Sequence, residues 1–206
     1  MGLISNGTTL LDAGALDSGV ATGSMTLIKT LTASSSATLN FIDGTANVVL
    51  DSTYKEYEFH FIDIHPATDA AEFSVQFNAA GASGFNETIM STFTQAIHSE
   101  DDSSEAGLGY VTANDQSNGT AYQDIFLNAG NGSDECISGT LCLFNPSSTT
   151  FITSMYSEVT GYHNADASSK CNCDAIIDTT SAVDEVSFKF SAGAIESGTI
   201  KLYGIK

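Results

Sequence analysis

Apolar and polar residues alternate with a period of two along most of this chain. In YKEYEFHFIDIHP, Tyr57, Phe59 and Phe61 fall on one face, with Glu56, Glu58 and His60 on the other. EFSVQFN repeats the pattern with Phe73, Val75 and Phe77. Such alternation marks a β-strand that turns one face to a core and the other to water. TIMSTFTQAIH sets Ile89, Ser91, Phe93, Gln95 and Ile97 against Met90, Thr92, Thr94 and Ala96. FITSMYSEV sets Phe151, Met155 and Val159 against Ile152 and Tyr156. DEVSFKFSAG and the closing SGTIKLYGIK complete the series. In the latter, Ile200 and Leu202 are expected inward, Lys201 and Tyr203 outward, and Gly204 allows a final bend. NFIDGTANVVLD predicts a hairpin that turns at Asp43-Gly44, where glycine supplies a positive φ. HSEDDSSEAGLG, TANDQSNG, NAGNGSDE and YHNADASSKCNCD read as loops.

Counting the runs gives about ten to twelve strands at the spacing of sandwiches and barrels, with no convincing amphipathic helix. The expected fold is an all-β antiparallel β-sandwich. Residues 24–206 form its single domain; residues 1–23 are an N-terminal arm and loosely structured lead-in. Within that arm Leu3, Ile4, Leu10 and Leu11 need a surface to cover them, which makes them candidate partner-docking residues.

Charge narrows the partners. Six lysines and no arginine stand against 25 carboxylates, for a net charge of −19. The usual equipment for gripping phosphates is missing, so nucleic acid and anionic membrane surfaces are not expected partners. No run approaches the roughly 20 apolar residues of a membrane-spanning helix, and the start of the chain reads as no secretion signal. So acidic an exterior suits a salty medium, where screening weakens repulsion between copies.

Candidate chemistry is sparse. The four histidines, His60, His65, His98 and His163, sit in no nucleophile elbow, HExxH or Cys-His pattern, and each reads first as a surface or turn residue. Glu100, Asp101 and Asp102 crowd one loop; they read first as a solvated acidic face and second as a calcium site, which needs several hard oxygens. Tyr110, Tyr122 and Tyr162 lie near polar loops, where they can stack on sugar rings or simply be strand-end tyrosines. Cys136, Cys142, Cys171 and Cys173 lack zinc-site spacing; they read as buried thiols first and as a cross-strand disulfide between the two pairs second. Nothing here composes an active site, so no catalytic residue is assigned and no cofactor is expected apart from calcium.

Three stretches taken together, LTASSSATLNFIDG, VVLDSTYKEYEFHFIDIHPATD with EFSVQFN, and LFNPSSTTF with the SGTIKLYGI ending, resemble a family of tailed-phage virion structural proteins from marine and cyanobacterial phages. The similarity runs over most of the chain. It implies a non-enzymatic virion component with a jelly-roll-type sandwich, located at the virion surface. The expected partners are the major capsid protein or other virion proteins, together with further copies in a homo-oligomer, a trimer among the symmetries considered. The first reading is a capsid decoration or cement protein; the alternative is a tail-fibre or receptor-binding module that recognises host glycans.

Overall fold

The computed structural model describes side chains for residues 23–102 and 106–206, and the backbone pairing alone of residues 3–5, 8–12 and 15–16. The strands are β1 (Leu3–Ser5), β2 (Thr8–Asp12), β3 (Ala15–Leu16), β4 (Met25–Thr32), β5 (Leu39–Ile42), β6 (Glu56–Pro66), β7 (Ala71–Ala79) and β8 (Ile89–Ser99). They continue with β9 (Ala106–Tyr110), β10 (Ser117–Gly119), β11 (Gln123–Ala129), β12 (Ile137–Phe144), β13 (Thr153–His163), β14 (Ala167–Ile177), β15 (Val183–Phe190) and β16 (Ile195–Ile205). The chain is all-β and every pairing is antiparallel. A 3-10 turn at Thr112–Asn114 is the helical element among the described residues, and none of their helices is long and apolar enough to cross a membrane.

Nine strands follow the order β4-β16-β6-β12-β13-β11-β7-β15-β5 and curl into a nearly closed, barrel-like sheet. The curl turns sharply at β13. Its body pairs with β12, but its last residue, His163, pairs with Ala129 of β11, so the path crosses to the opposite wall there. A bridge between Ser36 and Ile195 continues the β4-β16 pairing toward β5. β14 and then β8 extend the wall beyond β13, each paired over 11 residues, and β9 and β10 lie along the outer edge of β8.

The expected faces explain how the walls hold together. Tyr57, Phe59 and Phe61 of β6 are buried, and so are Phe73, Val75 and Phe77 of β7. Phe188 of β15 meets Phe41, Phe59, Phe61 and Phe73 with ring centroids 5.2 to 6.2 Å apart, mostly edge to face, the arrangement aromatic quadrupoles favour. Burying alternate residues of both walls in this way supplies the main driving force for the fold. Buried amides stitch the rest: Gln76 Nε2 donates to the carbonyls of Thr120 and Ala121, and Gln123 accepts from the Ser91 hydroxyl at 2.6 Å.

Four expectations need correction. YHNADASSKCNCD is no loop: only its middle turns, and Ala167 onward is β14, whose inward face is built from Ala167, Ser169, Cys171, Cys173 and Ala175. HSEDDSSEAGLG likewise contains β9. The Asp43-Gly44 turn forms, with Gly44 at φ +71°, but residues 48–50 are not a strand; Asp43 Oδ1 instead accepts from the Leu50 amide at 2.8 Å. Gly204 makes no bend. It lies within β16, where the Tyr54 ring packs so closely that a Cβ would run into it.

The backbone of the arm forms a small antiparallel sheet of its own, β1-β2-β3, with Leu3 opposite Leu11 and Ile4 opposite Thr9. The side chains of Leu3, Ile4, Leu10 and Leu11 lie outside the described residues.

One half-buried acid gives the fold a pH dependence. Asp124 sits among wall residues, where burial pushes its carboxyl up from 3.8 despite hydrogen bonds from Ser74 (2.8 Å) and Asn114 (2.9 Å). A carboxyl raised in the folded state keeps its proton there while the unfolded chain has already lost it, so stability falls as pH rises from 3.8 through the folded value. Asp184, raised by burial, acts in the same sense. Asp51, held down by Thr53, acts in the opposite sense and only at lower pH. Self-repulsion at −19 adds to the fall. Urea midpoints are therefore expected to rise as pH is lowered from neutrality toward the carboxylate's ordinary 3.8, and Asp124→Asn to flatten the slope. A midpoint that falls over this range would refute the assignment.

Candidate functional site on the outer face of the long wall

Strand register fixes what the long wall presents outward. Inward residues alternate with outward ones on β16, β6, β12, β13, β14 and β8, so each cross-strand row carries one outward residue per strand. The row at one end reads Met25, Ile205, Glu56, Phe144, Ser154, Ile176 and Met90. The next reads Leu27, Tyr203, Glu58, Cys142, Tyr156, Asp174 and Thr92. Of these, Met25, Leu27, Phe144, Tyr156 and Met90 are exposed large apolar residues, and Phe144 and Tyr156 stack with centroids 5.9 Å apart. An apolar band therefore crosses the wall at this end, broken by the carboxylates of Glu56, Glu58 and Asp174. A shallow open groove of about 400 Å³ lies in it, lined in part by Met90, Met155 and Ile176.

The other end of the same face is polar. His98, Ser99, Glu100, Thr160, Tyr162 and Ser168 line an open groove of about 470 Å³. The Tyr162 hydroxyl donates to Glu100 Oε1 at 2.8 Å, and that carboxylate pushes the phenol up to about 12. His98 Nε2 lies 3.0 Å from Asp102, and Ser99 donates to Asp101 at 2.7 Å. The three acids named for calcium are thus directed to three different partners. Among the described residues no three His, Cys, Asp or Glu side chains gather to hold a metal ion. Glu105 of the same stretch lies outside the described residues.

The three tyrosines do not converge. Tyr162 is in the groove; Tyr110 is on β9, exposed, with its hydroxyl bonded to Asp115. Tyr122 belongs to the opposite wall, where its hydroxyl donates to Ser187 at 3.0 Å and the Lys189 ammonium sits 4.2 Å from its ring centroid. The histidines are engaged locally. His60 faces Glu58 at 3.3 Å and His65 faces Glu196 at 3.4 Å, while His163 accepts from the Ala165 amide.

The thiols are free. Cys171 and Cys173 point into the core, whereas Cys142 lies on the outer face beneath Tyr156, so the sheet separates the two pairs and no disulfide joins them. Burial pushes Cys171 up to about 11 and raises Cys173 as well. Since the thiolate is the reactive form, Cys136, the one thiol not buried, is expected to alkylate first. Iodoacetamide labelling read by mass spectrometry should modify Cys171 and Cys173 only on unfolding. Early labelling of either would contradict their placement.

Alternation along the chain puts Met90 on the face opposite Ile89 and Phe93, and Tyr156 on the face opposite Met155 and Val159, but only the cross-strand register lines the two up in adjacent rows. Compared with known protein families, curated proteins and solved structures, the chain matches none.

Proposed function

We propose that this protein is a non-enzymatic structural component of a phage virion: a decoration protein at the particle surface that docks on the major capsid shell. The observation that carries the reading is the pairing order. Take β4, β5, β6, β7, β11, β12, β15 and β16 as eight successive strands: the first pairs with the last, the second with the seventh, the third with the sixth and the fourth with the fifth. Cross-pairs β16-β6 and β15-β7 complete two four-stranded walls. A long hairpin rolled up on itself produces that order, so it supports a jelly roll, an architecture common among capsid and lectin domains. In this reading β8–β10 and the β13-β14 hairpin are insertions that widen one wall. The widened wall carries the apolar band, which is the face we assign to the shell; the acidic loops then face solvent.

Mixing the full chain with undecorated heads and measuring co-sedimentation tests this. Binding is expected to weaken about tenfold or more with Tyr156→Asp or Met90→Asp, an apolar contact being exchanged for a buried charge. Removing residues 1–13 separates an arm from a face. Loss of binding in that variant alone would move the contact to the arm, and no binding by the full chain would overturn the decoration reading.

A second reading, a glycan-recognising fibre module, is favoured by the groove at Tyr162 and Glu100, whose hydroxyls and carboxylate match sugar hydroxyls. A glycan array with intact chain and Tyr162→Ala tests it, and no signal from the intact chain rejects it.

A further inference from the structure

β9 ends the long wall. Its five residues, Ala-Gly-Leu-Gly-Tyr, are all exposed; Leu108 is 79% and Tyr110 55% open to solvent. One edge pairs with β8 from Thr94 to His98. Among the described residues, no strand pairs with its other edge. An edge of this kind is normally guarded by lysine, proline, a bulge or a covering loop. β9 contains no charge and no proline, and its five pairs with β8 run without a register shift.

The two glycines sharpen the point. A glycine inside a strand costs stability relative to alanine, and it is kept where the backbone needs a positive φ or where something approaches closely. Among the described residues Gly107 and Gly109 have neither reason: a Cβ on either would meet nothing within 4 Å, and neither has a positive φ. No neighbour among the described residues explains them.

We infer that β9 pairs with β9 of a second copy, antiparallel and two-fold symmetric about Leu108, so that the long walls of two protomers become one continuous sheet. The sequence is self-complementary in that arrangement. Leu108 faces its own counterpart, Tyr110 falls opposite the small Ala106 of the second copy, and glycine meets glycine. Charge tunes the pairing: residues 106–110 contribute no carboxylate of their own, but Glu100, Asp101, Asp102 and Glu105 precede the strand, so two chains at −19 approach here best when salt screens them. Two five-residue strands bury less than the roughly 1,200 Å² of a standard stable interface, so the pairing is weak alone and gains strength where copies are arrayed. It does not depend on the virion reading.

Sedimentation velocity of the full chain over a range of protein and salt concentrations tests the pairing. The expected result is a monomer–dimer equilibrium that tightens as salt screens the net charge. Leu108→Lys, which installs an edge guard at an exposed position, is expected to weaken dimerisation about tenfold or more with an unchanged circular dichroism spectrum. In a Cys136→Ser background, where the remaining thiols are buried, Leu108→Cys is expected to give a disulfide-linked dimer on mild oxidation. Directly opposed residues of an antiparallel pair have Cα atoms about 4.5–5.5 Å apart, within disulfide reach. Ala106→Cys in the same background should not crosslink. A chain that stays monomeric at every concentration and salt, or an oligomer that persists undiminished in Leu108→Lys, overturns the inference.

Discussion

Phe188→Ala is expected to destabilise the fold by about 3–5 kcal/mol. Phe188 is fully buried on β15, opposite Val75 of β7 on one side and Leu39 of β5 on the other. Its ring contacts four others, Phe41, Phe59, Phe61 and Phe73, drawn from both walls. Truncation removes its transfer free energy and leaves a cavity that four rings on paired strands cannot collapse to fill. Set against a total stability of about 5–15 kcal/mol, that loss is a large fraction. Urea denaturation followed by circular dichroism should show a much lower midpoint with little change in slope. Phe151→Ala, at a phenylalanine 71% exposed, is the control and is expected within about 0.5 kcal/mol of the parent. A loss below about 1.5 kcal/mol for Phe188→Ala would mean that the two walls do not share one aromatic core.

The aromatic core was legible in the sequence because bulky side chains at period two leave little doubt about which face turns inward. That held for β6, β7 and β15, and for Ile200 and Leu202 at the end of the chain, all buried as expected. β14 was illegible for the complementary reason. Its inward positions are alanine, serine and cysteine, residues too small or too polar to signal a strand; β13 and β8 hold the strand in the sheet, and β11 packs over its inner face, with Leu127 against Cys171. Local propensity says little there; tertiary packing decides. β9 was hidden in the same way, by glycines within an acidic stretch.

The outer face was legible only in pieces. The outward turn of Tyr156 follows from alternation alone, but its neighbours Phe144 and Cys142 come from a strand paired across the sheet. Register is set by turns and bulges distributed along the chain, and one shift of a single residue would have reversed the faces. The band and the groove are consequences of topology, as is the separation of Cys142 from Cys171 and Cys173.

Such dependence on register makes Gly198 the second position where a small change should have a large effect. β16 runs along β6 with irregularities between Ile195 and Ser197 and again between Ser197 and Thr199. Gly198 sits at the second of these with φ +113°, and a Cβ there would lie 2.5 Å from the Asp63 carbonyl oxygen and 2.7 Å from the Ile64 Cα. Both obstacles are backbone, and Asp63 is itself held at φ +51°, so neither strand can yield by a side-chain rotation. The Gly198 carbonyl also accepts from the Ala33 amide at 2.9 Å, which ties the segment after β4 to the same point. Gly198→Ala therefore combines an unfavourable φ with a forced separation of two central strands, a cost on the order of 3 kcal/mol or more. Gly107→Ala, where the added methyl meets nothing, is expected to leave the protomer as stable or slightly more so. Paired urea titrations check the contrast. If Gly198→Ala proved as benign as Gly107→Ala, the interlocked bulges of β6 and β16 could not be what fixes the register of the long wall.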